Sequence, residues 1–252
     1  TKRLREDFNM RQILELNNNW YYKPNFSEED IKNNDYTEYE NIHLPHANVE
    51  VPYNYFDDKI YQFISCYKKK LDISKSNKRV FIDFEGVMTY CKVYLNENFL
   101  GEHKGGYTPF SFEITDYLKE SENILTVMVD STERKDIPPF GGTIDFLTFG
   151  GIYREVSLRM VEDNFIQDIF VKSLNTLSDI KELEVDLTLN KDINIEYNVE
   201  FNMYFQESLI IAKKFTCKNK NETIKVENLE NINLWDISNP NLYKIELILS
   251  VN

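Results

Sequence analysis

The chain has 252 residues, of which 42% are hydrophobic and 14% aromatic, and its formal net charge is −13. This length accommodates one large β domain or two of ordinary size, and the apolar content excludes global disorder. The negative charge disfavours nucleic acid and anionic membranes as partners, because both are bound through Lys and Arg that neutralise phosphates.

Alternation of apolar and polar residues predicts strands through the first 160 residues. The basic run 68–70 is interpreted as a solvated strand face. The sequence VYLNENFLG at 93–101 predicts a hairpin, because Asn tolerates the left-handed backbone of such turns. One helical fragment is predicted, TDYLKE at 115–120, capped by Thr115 or Asp116. The clearest strands are 80–85, 110–114 and 125–129.

The composition of the sequence changes after residue 164, because the remainder contains no Gly and only one proline, Pro240. Strand-like alternation continues over roughly 90 residues, which is typical of an immunoglobulin-like sandwich. We therefore predict an all-β protein: a jelly-roll sandwich over 1–162, then an immunoglobulin-like β-sandwich over 163–252. The last predicted strand runs almost to residue 252, so we expect the second sandwich to lack its closing strand.

Cysteine usage and the N-terminal sequence predict a cytoplasmic protein. Cys66, Cys91 and Cys217 form no CxxC motif and are odd in number, so neither a disulfide framework nor a cysteine-rich zinc site is indicated. The first ten residues are charged, and no stretch approaches the ~20 apolar residues that cross a bilayer.

Few motifs in the sequence carry chemistry by themselves. In HLPH, His43 and His46 offer two zinc ligands, but Pro45 prevents a regular helix and no further ligand has a suitable spacing. A structural turn is therefore preferred over a zinc site. No GxSxG elbow, phosphate loop or GxGxxG occurs, and no pair of carboxylates is singled out for glycoside hydrolysis.

The stretch FGGTIDFLTFGG at 140–151 stands out, because all eight glycines of the chain lie between Gly86 and Gly151. Within it Asp145 is surrounded by apolar and aromatic residues. A buried isolated carboxylate is costly, so this group is either tied down by hydrogen bonds or presented to a ligand. The residues alone leave both interpretations open.

Two long segments resemble glycoside hydrolase family 2, the β-galactosidases and β-glucuronidases. Residues 84–131, followed by GGIYREVSL at 150–158, are similar to the N-terminal sugar-binding sandwich of that family. LWDISNPNLYKIELIL at 234–249 is similar to the Trp, Pro and Leu-Tyr signature near the end of its immunoglobulin-like second domain.

The resemblance implies that this chain is a non-catalytic N-terminal fragment. Family members carry their two catalytic glutamates on a (β/α)₈ barrel that follows the second domain, and no such barrel is present here. An aspartate seven residues before the motif Ile reaches the barrel and binds sugar hydroxyls, and Asp145 and Ile152 match this spacing. In family β-galactosidases an Asn just upstream of a Cys-Tyr strand also contributes to the sugar pocket; this Asn is absent here, and Gln62 stands near its position as a second candidate sugar contact.

The resemblance further implies partners and cofactors. The partners are the chain's own C-terminal catalytic barrel and a β-galactoside or related sugar, and the stretch from HLPHANVEVPYNYF to YQFISCYKKKL favours β-galactosidase over β-glucuronidase. No cofactor is expected in this fragment, whereas some family galactosidases use Mg²⁺ and Na⁺ near the catalytic site. A homo-oligomer is compatible with the family. A stand-alone carbohydrate-binding protein and a structural β-sandwich module remain as alternatives.

Overall fold

The computed structural model describes residues 11–51, 53–54, 57, 59–138 and 147–251. The chain divides into two compact units, Thr1–Glu162 and Asp163–Asn252. Among the described residues the regular elements are strands and two short 3-10 helices, Glu28–Ile31 and Thr115–Tyr117, so the prediction of an all-β protein is confirmed. No helix in this part of the chain is long and apolar enough to cross a bilayer.

The first unit pairs its strands into two antiparallel sheets. The strands are β1 (Gln12–Glu15), β2 (Trp20–Lys23), β3 (Glu40–Ile42), β4 (Ile64–Leu71), β5 (Arg79–Phe84), β6 (Tyr90–Leu95), β7 (Asn98–Lys104), β8 (Phe110–Glu113), β9 (Asn123–Asp130) and β10 (Val156–Val161). One sheet has the order β1-β10-β5-β8, and the other has the order β3-β2-β4-β9-β6-β7.

A single apolar core lies between these two sheets. Alternate residues of β5, Val80, Ile82 and Phe84, are buried, and they share one cluster with Tyr67 and Val127 of the other sheet. Burying alternate side chains from two facing sheets is the usual core of a β-sandwich. The predicted alternation over 80–85 therefore corresponds to a buried and a partly exposed face of β5.

The predicted hairpin is confirmed, and the predicted helix is much shorter than expected. β6 and β7 are joined at Asn96 and Glu97, whose φ angles are +49° and +73°. The TDYLKE segment forms only the 3-10 turn Thr115–Tyr117. The hydroxyl of Thr115 does not cap a helix, because it accepts a 2.9 Å hydrogen bond from the Val80 amide of the neighbouring strand.

The interpretation of residues 68–70 as a solvated face is wrong for Lys68, which is fully buried in the structure. Residues of the segment 30–39 fold over this part of β4. The Lys68 ammonium donates to the carbonyl oxygen of Asn33 and lies 5.7 Å and 5.4 Å from the ring centroids of Tyr36 and Tyr39. Burial lowers the pKa of Lys68. Alternation within β4 could not reveal this cover, because the covering residues are distant in sequence.

The second unit is built from two smaller antiparallel sheets, with orders β11-β12-β15 and β14-β13-β16. Alternate residues of β12 and β13, including Val185, Leu187, Val199 and Phe201, are buried between them. The strands are β11 (Ile166–Leu174), β12 (Lys181–Leu189), β13 (Tyr197–Phe205), β14 (Ser208–Cys217), β15 (Asn221–Leu229) and β16 (Tyr243–Val251).

Candidate functional site

The principal predicted site residue, Asp145, lies outside the described residues, within the segment 139–146. The structure does describe both flanks of that segment, which end at Pro138 and begin again at Leu147. The two flanks and their contacts therefore define the candidate site.

The C-terminal flank is held against the segment that precedes β4. Thr148 is buried, and its hydroxyl lies 3.4 Å from the hydroxyl of Tyr61. The ring of Phe149 packs 6.1 Å from that of Tyr61. The carbonyl oxygen of Gly150 accepts a 2.9 Å hydrogen bond from the amide of Asn48. This flank is therefore fixed on two sides within its own unit.

Close packing explains the second glycine pair of the sequence. A methyl group on Gly150 would overlap the Ser131 side chain and approach Asn48 Nδ2 to 2.6 Å. Gly151 has a φ of +112°, and a methyl group there would lie 2.6 Å from the carbonyl oxygen of His46. Gly151 also exchanges backbone hydrogen bonds with Met88. These two glycines therefore allow close approach of the backbone within the first unit.

The N-terminal flank is anchored by charge and by apolar packing. Ile137 is buried in a small cluster with Tyr90. The Asp136 carboxylate pairs with Lys104 at 2.8 Å and with Arg134 Nε at 3.2 Å. Hydrogen bonds from Lys104, and then from Arg134, lower the pKa of Asp136 to about 2. Arg134 also pairs with Asp130 at the end of β9.

Gln62, the second predicted site residue, lies beside the same region. Its Oε1 atom accepts a hydrogen bond of 3.4 Å from the amide of Glu133, in the N-terminal flank. The preceding residue, Tyr61, contacts the C-terminal flank through Thr148. Gln62 thus contacts the N-terminal flank, whereas its neighbour Tyr61 contacts the C-terminal flank, and the assignment of Gln62 as a sugar contact stays a prediction.

Asn48 was missed in the sequence, and its environment makes it a further candidate. It is 5% exposed, its Nδ2 atom donates to the carbonyl oxygen of Tyr61 at 2.7 Å, and its own carbonyl oxygen accepts a hydrogen bond from Tyr22. Its Oδ1 atom is buried and has no hydrogen-bond partner among the residues that the structure describes. A buried acceptor without a partner costs roughly 1–3 kcal/mol and therefore needs an explanation. A single Asn between HA and VE gives no signal of this burial.

The histidines of the HLPH motif are separated in the structure. His43 Nδ1 lies 3.1 Å from Asn18 Oδ1, whereas His46 Nδ1 lies 2.9 Å from the hydroxyl of Tyr67. In the described ranges no group of three or more His, Cys, Asp or Glu side chains could hold a metal ion.

His46 gives a testable pH dependence. Burial is the main cause that lowers its pKa below 6.5, and the charge of Glu40 opposes this shift. The unfolded chain therefore binds more protons near and below pH 6.5, so the stability is fully present above that pH and falls as the pH decreases. We expect the wild-type chain to lose more stability between about pH 7.5 and 5.5 than the His46→Gln variant.

Urea unfolding at the two pH values measures this difference. His43→Gln is the matched control, because His43 is exposed, and we expect it to keep the wild-type pH dependence. An identical loss of stability in the wild type and in His46→Gln would show that His46 is not the group responsible.

Comparison with known proteins identifies the family. The family model described as "Glycosyl hydrolases family 2, sugar binding domain" matches residues 16–161. A β-galactosidase of Thermoanaerobacterium thermosulfurigenes is 46% identical, with 96% of this chain and 36% of that protein covered. A β-galactosidase of Thermoanaerobacter pseudethanolicus is 36% identical over 95% of this chain and 33% of its own length.

The same similarity is present in three dimensions. The structure of β-glucuronidase 2 of Bacteroides uniformis superimposes with a TM-score of 0.82 at 25% identity, over 95% of this chain and 30% of that one. This chain spans about a third of the length of the curated relatives that it matches. Because the family model covers more than half of its residues, the chain belongs to glycosyl hydrolase family 2.

Proposed function

We propose that this chain is the N-terminal, non-catalytic part of a retaining β-galactosidase that hydrolyses terminal β-D-galactosides. The observation that carries the proposal is the 46% identity to a β-galactosidase, which extends over 96% of this chain. Since only 36% of that relative is covered, the catalytic barrel is assigned to a segment beyond the present sequence. The chain alone is then inactive.

In this proposal the first unit lends one loop to the sugar pocket of the barrel. Both flanks of the segment 139–146 are fixed by hydrogen bonds and packing, and such anchoring suits a loop that must hold a ligand group in place. Asp145 is proposed to accept charge-assisted hydrogen bonds from vicinal sugar hydroxyls. Gln62 is proposed as a weaker contact of the same pocket.

The substrate class can be tested on the complete protein. We expect a chromogenic β-galactoside to be hydrolysed with a kcat/KM at least about tenfold above that of the matching β-glucuronide, a difference of about 1.4 kcal/mol in activation free energy. The 252-residue chain should give no turnover above background. A preference for the glucuronide would replace the proposed substrate but not the family.

The finer architecture and location form part of the same proposal. The first unit is assigned to the jelly-roll class and the second to the immunoglobulin-like class, with one closing strand contributed by the following segment. The enzyme is proposed to be cytoplasmic, and its three cysteines, all free and buried, suit a reducing compartment. A homo-oligomer is compatible with this arrangement.

Metal ions are assigned to the complete enzyme alone. Among the described residues no group of three or more His, Cys, Asp or Glu side chains could hold a metal ion, and the absence of a cofactor from this chain stays a prediction. We expect EDTA to leave the Tm of the 252-residue chain unchanged within about 1 °C, since a lost structural metal would lower it by several degrees. Differential scanning fluorimetry with and without EDTA measures this. A clear fall in Tm that Mg²⁺ reverses would reveal a metal site in this chain.

The main alternative is a stand-alone carbohydrate-binding protein. It requires the 252-residue chain to bind sugar tightly without a barrel. Under the proposed function this chain supplies only part of the sugar pocket and makes few contacts with galactose at once, so the Kd for galactose should be no lower than about 1 mM. Isothermal titration decides between them, because a micromolar Kd for galactose would favour the alternative.

A further inference from the structure

The connection between β15 and β16 exposes several large apolar side chains. We call residues 231–242 the Trp235 loop. Within it Leu234, Trp235, Ile237 and Leu242 are 45%, 59%, 88% and 75% exposed. Single exposed apolar residues are normal, but a contiguous group of this kind marks an interaction surface.

Hydrogen bonds keep this loop ordered in spite of its exposure. Asp236 and Asn239 exchange two backbone hydrogen bonds of 3.0 Å. Asn241 Nδ2 donates to the carbonyl oxygen of Leu234 at 2.9 Å, and the amide of Asn233 donates to the hydroxyl of Tyr243 at 2.8 Å. A surface that is already rigid loses little conformational entropy when it binds.

The composition of the loop is that of an interface core. Asp236 is its single charged residue, whereas 28% of the whole chain is charged. Buried interface cores are depleted in charge, and exposed Trp residues often supply much of the binding energy. The last residue of the loop, Leu242, lines a concavity of about 590 Å³ together with Tyr204, Gln206, Glu207, Tyr243 and Lys244. A protein partner can therefore insert side chains beside the C-terminal end of the loop.

The position of β16 indicates which partner reaches this surface. Among the described strands β16 pairs with β13 alone, so its other edge is unpaired. A following strand that paired antiparallel with this edge would run from Val251 back towards Tyr243, next to the Trp235 loop. The chain beyond that strand would then emerge beside the exposed apolar residues.

We propose that the Trp235 loop is the surface on which the catalytic domain of the complete protein packs. The inference rests on the proposed function, because that function assigns a catalytic domain to the following segment. The inference adds to that function the residues of this chain that form the contact. The relatives indicate that a further domain is available to pack there, because about two thirds of their length lies outside the region shared with this chain.

Thiol labelling tests the proposal directly. Ile237→Cys introduces an exposed thiol, and the three native cysteines are buried. We expect a maleimide to label position 237 rapidly in the 252-residue chain, and at least about tenfold more slowly in the complete protein, as for any site that must open before it reacts. Leu177→Cys, 93% exposed in the same unit, is the matched control and should label equally fast in both.

Peptide mass spectrometry reads the label at each position separately, and a β-galactoside assay of the same complete protein runs in parallel. Equal labelling at 237 in both proteins would overturn the docking surface, even with an active enzyme. An inactive complete protein with position 237 protected would overturn the proposed substrate and keep the surface. If labelling at position 237 in the 252-residue chain becomes slower as the chain concentration rises, the surface belongs to contact with a second copy and the proposal is overturned. If added galactose slows that labelling, the surface binds sugar and the proposal is overturned as well.

Discussion

Asp145→Asn is expected to lower kcat/KM of the complete enzyme for a β-galactoside by roughly 100-fold, which corresponds to about 2.7 kcal/mol. The amide has nearly the same shape as the carboxylate but accepts weaker hydrogen bonds from sugar hydroxyls. The Tm should change by less than about 2 °C, because a group that faces a ligand contributes little to folding.

Steady-state kinetics and thermal unfolding of the same preparation separate the two roles of Asp145. Asp168→Asn is the matched control, since Asp168 is an exposed carboxylate in the second unit and should affect neither quantity. Normal kinetics with a large loss of Tm for Asp145→Asn would mean that the carboxylate is tied down within its own unit. That outcome is the other interpretation that the sequence left open.

Gly150→Ala is expected to destabilise the first unit by about 2–3 kcal/mol, the usual cost of overpacking a well-packed site. The added methyl group would collide with Ser131 and crowd Asn48 Nδ2, and both neighbours are buried. Urea unfolding followed by the fluorescence of Trp20, which is fully buried in this unit, measures the change.

Two comparisons show whether crowding is the cause. Gly105→Ala adds a methyl group at a φ of +110° but meets no atom closer than 3.9 Å, so it should cost only about 1 kcal/mol of backbone strain. Adding Ser131→Gly to Gly150→Ala removes the colliding side chain and should recover part of the loss, as a double-mutant cycle would show. A cost for Gly150→Ala no greater than that of Gly105→Ala would refute the packing explanation.

The sequence predicted strands well where apolar and polar residues alternate. In β5, and in β12 from Leu183 onward, buried and partly exposed residues alternate, and a one-residue shift would expose the whole apolar set. The hairpin at Asn96 was equally predictable, since two adjacent residues there adopt positive φ. These features depend on local chemistry, which a single sequence displays.

The failures concern contacts between residues that are far apart in sequence. The burial of Lys68 depends on Tyr36 and Asn33. The burial of Asn48 depends on Tyr22 and on Gly150, and Gly150 lies more than a hundred residues further along the chain. The role of Gly151 likewise depends on His46 and Met88. No periodicity encodes such contacts, so the sequence could indicate the site through family resemblance but not its supporting residues.

A crystal structure of the complete protein with galactose bound tests the central claim most directly. The account predicts a carboxylate oxygen of Asp145 within about 3 Å of a sugar hydroxyl, in a pocket whose catalytic carboxylates belong to the following domain. A carboxylate of Asp145 that is bonded only to donors of its own unit, with the sugar held entirely by other residues, would contradict it.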